Sequence, residues 1–171
     1  MSLACDLCEA ICCKDLIITI TSFDMIRIRD KLKKNVDEFC CLYQPKFIRV
    51  NWQTVIESVD GFFVLALKSR PCIFLSGNKC SIFSFAPLSC KCYPHNMFGS
   101  FSNLAVCKEI PKVIIKISNP GFSYVSKFKE EYEAYIEIVK EVSKKKLRKH
   151  EILPALEKLT EEKMKELEIE A

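Results

Sequence analysis

The sequence predicts an α+β fold in which short strands, hairpins and helices are followed by a pair of C-terminal helices. Short apolar runs separated by tight turns occupy the middle of the chain, whereas apolar residues recur every three or four positions from about Ser123 onward. The 171 residues are 49% apolar and include twelve Phe, which is enough for a buried core. We therefore predict a first domain over residues 1–121 and a helical extension over 122–171 that packs on it.

The first predicted elements are an extended segment and a helix. Leu16–Ile20 is short and β-branched, which indicates a buried strand or extended segment. Thr21 and Asp24 then have the spacing of a capping box, so a helix is expected to begin there. One face of this helix is apolar and the other, which includes Arg27, is polar. The apolar positions are Met25, Ile28 and Leu32.

A second helix and a strand are predicted next. The helix is expected over Val36–Tyr43, with Cys40 and Cys41 inside it, and Pro45 ends it because proline cannot continue a helix. Phe47–Asn51 alternates as a strand does.

Two hairpins follow in the prediction. Thr54–Val59 and Phe62–Leu67 are strand-like and are joined by an Asp-Gly turn of the left-handed kind. A second tight turn around Gly77 would set Cys72 and Cys80 near the two ends of another hairpin. Two thiols placed in this way are close enough to share a site.

The remainder of the chain is predicted to be a strand followed by helices. The strand is Val113–Ile117. Each of the two helices has apolar residues on one face, and Pro154 is tolerated in the first turn of the second helix. The apolar positions are Tyr124, Phe128, Tyr132, Tyr135 and Val139 on the first helix, and Ile152, Leu156, Leu159, Met164 and Leu167 on the second.

The chain contains eleven cysteines, and their meaning depends on the cellular compartment. The first residues lack the basic region, apolar region and cleavage site of a secretory signal, so we expect a cytoplasmic protein. In a reducing compartment, clustered thiols are metal ligands more often than disulfides. No apolar run approaches the roughly 18 to 20 residues that a membrane helix requires, and no membrane span is predicted.

Two groups of thiols, far apart in the sequence, predict a metal site. The first group places four thiols within nine positions, and the second is spread over the middle of the chain. Thiolates bind zinc or iron–sulfur clusters, and the metal neutralises charges that would otherwise repel one another. Surface thiols or a disulfide remain the alternative for the first group, and buried core thiols for the second. The groups are Cys5, Cys8, Cys12 and Cys13, and Cys72, Cys80, Cys90, Cys92 and Cys107.

Charge and motif content exclude several other functions. The formal charge of +4 is too small to predict a nucleic-acid partner, and the basic run Lys144–Lys149 is interpreted as a solvated helix end. Four glycines make a phosphate-binding loop or dinucleotide fold an unfavourable interpretation. His95 is interpreted as a structural histidine and His150 as an exposed one.

The cysteine spacing resembles a known family. The pattern is Cys5-x2-Cys8-x3-Cys12-Cys13, then Pro71-Cys72-Ile-Phe-Leu75 with Cys80, then Ala86-Pro87-Leu-Ser-Cys90. It is similar to the YkgJ-like cysteine-cluster family, whose CxxCxxCC domain is described as zinc- or iron-chelating. Three residues stand between Cys8 and Cys12 where the family usually has two, a form similar to that of flagellin lysine methylases, which carry an iron–sulfur cluster. Ala86 and Lys91 stand where the family commonly has Arg.

The resemblance implies a set of eight metal ligands. Eight thiols exceed the four that one tetrahedral ion takes, so they suit one cluster with surplus thiols or two centres. We favour an iron–sulfur cluster, of the 4Fe-4S type, over zinc because surplus cysteines without histidine partners are less typical of structural zinc. Cys40, Cys41 and Cys92 lie outside the motif and are expected in the core. The implied ligands are Cys5, Cys8, Cys12, Cys13, Cys72, Cys80, Cys90 and Cys107.

Three functions follow from this interpretation. The first is a redox or electron-transfer protein that meets an unidentified protein or redox partner. The second is a structural-zinc module whose C-terminal helices bind another protein. The third, ranked last because the chain is much shorter than those enzymes, is a cluster-dependent lysine methylase. Whether the protein is an enzyme is left open by the sequence.

Overall fold

The structure, a computed structural model, describes residues 10–48, 50–93, 98 and 124–169. Helices and small antiparallel sheets are both present, which confirms the predicted α+β class. Single 3₁₀ turns occupy Pro45–Phe47, Trp52–Thr54 and Phe83–Phe85. The other elements are α1 (Ile11–Asp15), α2 (Ser22–Leu32), α3 (Val36–Phe39), β1 (Cys40–Tyr43), β2 (Ile56–Ser58), β3 (Gly61–Leu67), β4 (Leu75–Ser76), β5 (Lys79–Cys80), α4 (Leu88–Cys92), α5 (Val125–Lys144) and α6 (Lys149–Glu166).

The chain divides into two compact units, each assembled from two separated segments. The first unit combines Met1–Ile18 with Ser69–Lys129, and the second combines Thr19–Lys68 with Glu130–Ala171. The predicted boundary at residue 121 lies outside the described residues, and the proposed division at that point stays a prediction. Val113–Ile117, predicted as a strand, also lies outside them.

A three-stranded antiparallel sheet forms the centre of the second unit, in the order β1-β3-β2. The predicted hairpin is confirmed as β2 and β3, but its turn lies one residue earlier than expected. Ser58 pairs with Gly61, so the two turn residues are Val59 and Asp60. Gly61 has a φ of 121°, a conformation that residues with a side chain rarely adopt.

The second predicted helix is wrong beyond Phe39, because Cys40–Tyr43 forms strand β1 instead. β1 pairs with β3 along its whole length, from Cys40 opposite Leu67 onward. The backbone groups of β1 form their hydrogen bonds with residues of β3 that lie more than 20 positions away in the sequence. The periodicity of the local sequence does not predict such a contact. The strand predicted over Phe47–Asn51 is also wrong, since its described residues form the end of a 3₁₀ turn and irregular backbone.

Leu16–Ile20 is extended, as predicted, but joins the sheet at one point. Thr19 forms an isolated antiparallel bridge with Ala66, and the Ile20 amide donates to the Leu65 carbonyl at 3.2 Å. This segment therefore pairs with the sheet through a single bridge and does not form a regular fourth strand.

Helix α2 begins at the predicted capping box. The Thr21 side chain accepts from the Asp24 amide at 3.1 Å, and the Asp24 carboxylate accepts from the Thr21 amide at 3.2 Å. Met25 and Ile28, on the predicted apolar face, are fully buried. The capping box stabilises the helix start, and the apolar face anchors the helix in the core.

On the polar face of α2, Arg27 is largely buried and pairs with a residue of α5. The Arg27 guanidinium pairs with Glu131 of α5 at 2.5 Å and with Asp24 at 3.3 Å, and only 12% of its side-chain surface is exposed. Both carboxylates are buried, so the cation lies between two desolvated anions. Arg27 thus links α2 to α5 inside the second unit.

The two C-terminal helices form as predicted, and α6 packs against α2. Ile152 and Leu156 are fully buried, and the hydroxyls of Thr160 and Ser22 lie 2.6 Å apart. Pro154 lies in the second turn of α6 rather than the first, because the helix begins at Lys149. No helix among the described residues combines the length and apolar character needed to cross a bilayer.

Candidate metal centre

Five of the eight predicted ligands lie in the described part of the chain, and all five belong to the first unit. Cys12 and Cys13 are on α1, Cys72 precedes β4, Cys80 ends β5, and Cys90 is on α4. Segments that are far apart in sequence therefore bring their thiols into one unit. Three predicted ligands lie outside the described residues and are Cys5, Cys8 and Cys107.

Helix α1 presents two adjacent thiols. Ala10 adopts a left-handed conformation before the helix, and its carbonyl accepts from the Lys14 amide at 3.0 Å. The sulfur atoms of Cys12 and Cys13 are 3.9 Å apart and both are half-buried. Two thiolates on one tetrahedral zinc ion are about 3.8 Å apart, because each Zn–S bond is about 2.3 Å. The pair therefore has a spacing that one metal ion can bridge.

A backbone hydrogen bond ties α1 to the second cysteine group. The Cys72 amide donates to the Cys13 carbonyl at 2.7 Å. This contact fixes the main chain of one predicted ligand against that of another. The local sequence holds no signal for it, since the two residues come from separated segments.

The predicted hairpin between Cys72 and Cys80 is confirmed in a shorter form. Leu75 pairs with Cys80 across strands β4 and β5, and the Leu75 amide donates to the Cys72 carbonyl at 2.9 Å. The Ser81 amide then donates to the Phe74 carbonyl at 2.9 Å. The hairpin therefore holds Cys72 and Cys80 near one another, as the sequence predicts.

Helix α4 carries Cys90 and is anchored by its neighbour Lys91. The Cys90 amide donates to the Pro87 carbonyl at 2.9 Å, which starts the helix directly after the proline. The Lys91 ammonium donates to the Ser84 carbonyl at 2.8 Å and lies 5.1 Å from the centre of the Tyr124 ring. Lys91 thus joins α4 to the preceding turn and to Tyr124, the residue before α5, a role that its sequence position alone does not reveal.

The thiols affect one another's ionisation. A hydrogen bond with Cys13, followed by burial, raises the pKa of the Cys12 thiol well above its ordinary value. Burial raises the pKa of Cys72, a hydrogen bond with the Phe74 backbone lowers it, and the charges of Cys80 and Cys12 raise it further. Cys72 is therefore close enough to Cys12 and Cys80, and Cys12 to Cys13, for their thiolates to repel one another. A bound cation removes this repulsion, which is the property expected of a metal site.

The cysteines outside the motif behave largely as core residues. Cys40 and Cys92 are fully buried, which confirms the expectation for both, whereas Cys41 is half-buried. Cys40 and Cys41 also belong to the second unit, apart from the predicted ligands. His150 is exposed, as expected, and His95 lies outside the described residues.

The donor chemistry of the first unit fits a thiophilic metal. Its predicted ligands are all sulfur, a set that zinc and iron–sulfur clusters share. Within the described ranges, no three Cys, His, Asp or Glu side chains already form a metal-holding group. The predicted set includes three further cysteines beyond those ranges.

Comparison with known proteins identifies the family. A family model named CxxCxxCC, described as "Putative zinc- or iron-chelating domain", matches residues 4–111, a range that contains all eight predicted ligands. Searches of curated proteins and of solved structures found no match. The family description supports metal binding, in agreement with the thiols gathered in the first unit. The match covers more than half of the sequence, and the chain therefore belongs to the CxxCxxCC family.

Proposed function

We propose that this protein binds an iron–sulfur cluster of the 4Fe-4S type through cysteine thiolates and uses it in electron transfer or redox sensing. The observation that supports the proposal is the placement of Cys12, Cys13, Cys72, Cys80 and Cys90 in one unit. A cluster of this type takes four thiolates, and the motif offers more than four. When bound, the cluster supplies one-electron redox chemistry.

The burial of the thiols suits a cluster near the protein surface. Cys72 is buried, whereas Cys80 and Cys90 are half-buried. Solvent exposure and hydrogen bonds to sulfur are the main means by which a protein sets a cluster's reduction potential. The hydrogen bond from the Phe74 backbone stabilises negative charge on the Cys72 sulfur and is one such contribution.

The residues around the thiols hold them in place. The hydrogen bond between Cys72 and Cys13 orients two ligands, and Lys91 positions the helix that carries Cys90. A site that is fixed by its backbone needs little rearrangement when its oxidation state changes. This property favours electron transfer over a role that requires large motions.

A structural zinc ion is the second candidate. It is favoured by the 3.9 Å separation of the Cys12 and Cys13 sulfurs, since thiolates of a 4Fe-4S cluster bind different irons whereas thiolates of zinc share one ion. In this case the metal stabilises the first unit, and the function lies in the proteins that this chain contacts.

The proposal is tested on protein purified without oxygen. Visible absorption is recorded together with iron, zinc and acid-labile sulfide contents. A brown sample containing iron and sulfide supports the cluster, whereas a colourless sample with stoichiometric zinc overturns it in favour of the zinc module. A sample that binds neither metal after reconstitution contradicts both candidates.

A matched pair of variants on α4 tests whether the metal lies at the predicted thiols. Cys90→Ala removes a predicted ligand, whereas Cys92→Ala removes a fully buried thiol of the same helix. We expect the first variant to lose metal and the second to retain it. Equal metal content in both variants would contradict the assignment of Cys90.

A further inference from the structure

The two units differ in charge. The described residues of the second unit are nearly balanced, with 16 basic and 17 acidic residues. The described residues of the first unit contain six basic residues and one acidic residue, Asp15. Among the described residues, the excess of positive charge therefore lies in the unit that gathers the predicted ligands. Its basic residues are Lys14, Arg70, Lys79, Lys91, Lys127 and Lys129.

Two of these cations lie on the segment that carries Cys72 and Cys80. We name residues 70–80 the cysteine hairpin. Arg70 and Lys79 stand at its two ends, and both are exposed. Neither side chain makes an ion pair or hydrogen bond with another described residue. Their charge is therefore available to an external partner.

An apolar side chain lies between these two cations in the sequence. Ile73 follows Cys72 directly and is 44% exposed, in the turn closed by the hydrogen bond from the Leu75 amide to the Cys72 carbonyl. Nearly half of the Ile73 surface is therefore left in contact with solvent. An apolar centre with charged residues around it is the composition of a protein interface.

We propose that the cysteine hairpin is the docking surface for an acidic partner protein that exchanges electrons with the centre. This inference rests on the proposed function and extends it by naming the surface and the charge of the partner. Cys72, which is buried, precedes Ile73 and lies two residues after Arg70, and the half-buried Cys80 directly follows Lys79. Opposite charge on the partner accelerates encounter, and a small interface permits rapid release, as redox exchange requires.

The composition of the hairpin favours a protein over a nucleic acid. Binding along a phosphate backbone uses several cations together with exposed aromatic residues on which bases stack. Here the two cations flank an exposed isoleucine, and Phe74, the aromatic residue of the hairpin, is buried. Two cations and one aliphatic contact suit the rim and centre of a small protein interface.

The test measures binding of a fluorescein-labelled glutamate-rich peptide to the metal-loaded protein by fluorescence anisotropy. A single-stranded DNA oligonucleotide of the same net charge is the competing probe. The test variant is Arg70→Glu with Lys79→Glu. The control variant is Lys31→Glu with Lys158→Glu, which reverses two exposed lysines of the second unit that have no side-chain partner among the described residues.

We expect the peptide to bind the native protein and to bind about tenfold more weakly to the test variant, since two surface cations become anions. The control variant is expected to retain native affinity, and raising the salt concentration should weaken peptide binding. The proposal is overturned if the native protein does not bind the peptide, if both variants lose affinity equally, or if the DNA binds more tightly.

Measuring metal content distinguishes a failure of the docking-surface proposal from a failure of the iron–sulfur proposal. Arg70 and Lys79 are exposed and hold no partner among the described residues, so the test variant should keep native metal content, visible spectrum and circular dichroism. A failure of the proposed cluster is read in the metal analysis of the native protein. A failure of the docking surface is read in peptide binding alone.

Discussion

The amide of Cys72 donates a hydrogen bond of 2.7 Å to the carbonyl oxygen of Cys13. The bond joins main-chain atoms, so it does not depend on the thiol of either residue. A substitution that removes the sulfur of Cys13 or Cys72 therefore leaves the hydrogen bond between the two segments in place. Loss of metal in such a variant reports on the ligand itself.

Replacing Cys72 by Ser is expected to release metal and to lower the melting temperature. Metal binding to a thiolate site contributes directly to folding free energy, so the loss should reach several kcal/mol, on the order of the contribution of structural metals. Elemental analysis and thermal unfolding check this. Cys41→Ser, a half-buried thiol of the second unit, is the control and should retain metal. Equal metal content and melting temperature in both variants would show that Cys72 is not a ligand.

Replacing Lys91 by Met should accelerate metal loss without removing a ligand. The substitution breaks the contact with Ser84 and the approach to the Tyr124 ring, both of which position the helix that carries Cys90. The rate of metal release to a chelator is the measurement. Lys79→Met changes an exposed lysine without a described partner and should leave this rate unchanged. Identical rates for the two variants would exclude the positioning role.

Replacing Arg27 by Met should destabilise the second unit strongly. The substitution removes the cation that pairs with buried Glu131, and breaking a buried ion pair costs about 3–5 kcal/mol. Lys34→Met breaks the exposed pair with Glu38 and should cost about 1 kcal/mol or less. Denaturant unfolding measures both values. A similar small loss for the two variants would indicate that the Arg27 pair is effectively solvated.

Alkaline pH should destabilise the protein through Cys40. Burial raises the pKa of this thiol above its ordinary value of 9.0, so the folded state keeps the proton that the unfolded state releases. The contribution of Cys40 is fully present below pH 9 and is lost above it, by up to about 1.4 kcal/mol per pH unit. Unfolding free energies between pH 8 and 10 should fall less steeply in Cys40→Ala. An unchanged slope would show that Cys40 ionises in the folded state.

Features determined by nearby residues could be predicted from the sequence. The capping box of Thr21 and Asp24 spans three positions, and the hairpins around Gly61 and Gly77 depend on short turns. The residues that form the capping box and the hairpin turns lie within a few positions of one another, so the sequence pattern alone predicts these features. The cysteine motif was equally clear because metal ligands need particular residue types at particular spacings.

Features determined by distant partners could not be predicted in this way. Cys40 and Cys41 lie in a strand because β3 pairs with them, and a helical interpretation of the same apolar residues was equally reasonable from periodicity. The position of Arg27 beneath α5 depends on Glu131, which lies 104 residues away. In both cases a contact formed by folding outweighs the local pattern.

Segments of the two units alternate along the chain, so the ribosome synthesises part of each unit before either is complete. The thiols of α1 are synthesised before the hairpin and α4, which follow only after Thr19–Lys68 has been made. The nascent chain therefore carries the thiols of Cys12 and Cys13 while Thr19–Lys68 is synthesised, before the thiols of the hairpin and α4 are made. α6, which packs against α2, is synthesised after α4. The thiols of α1, of the hairpin and of α4 can consequently bind metal before α6 of the second unit has been synthesised.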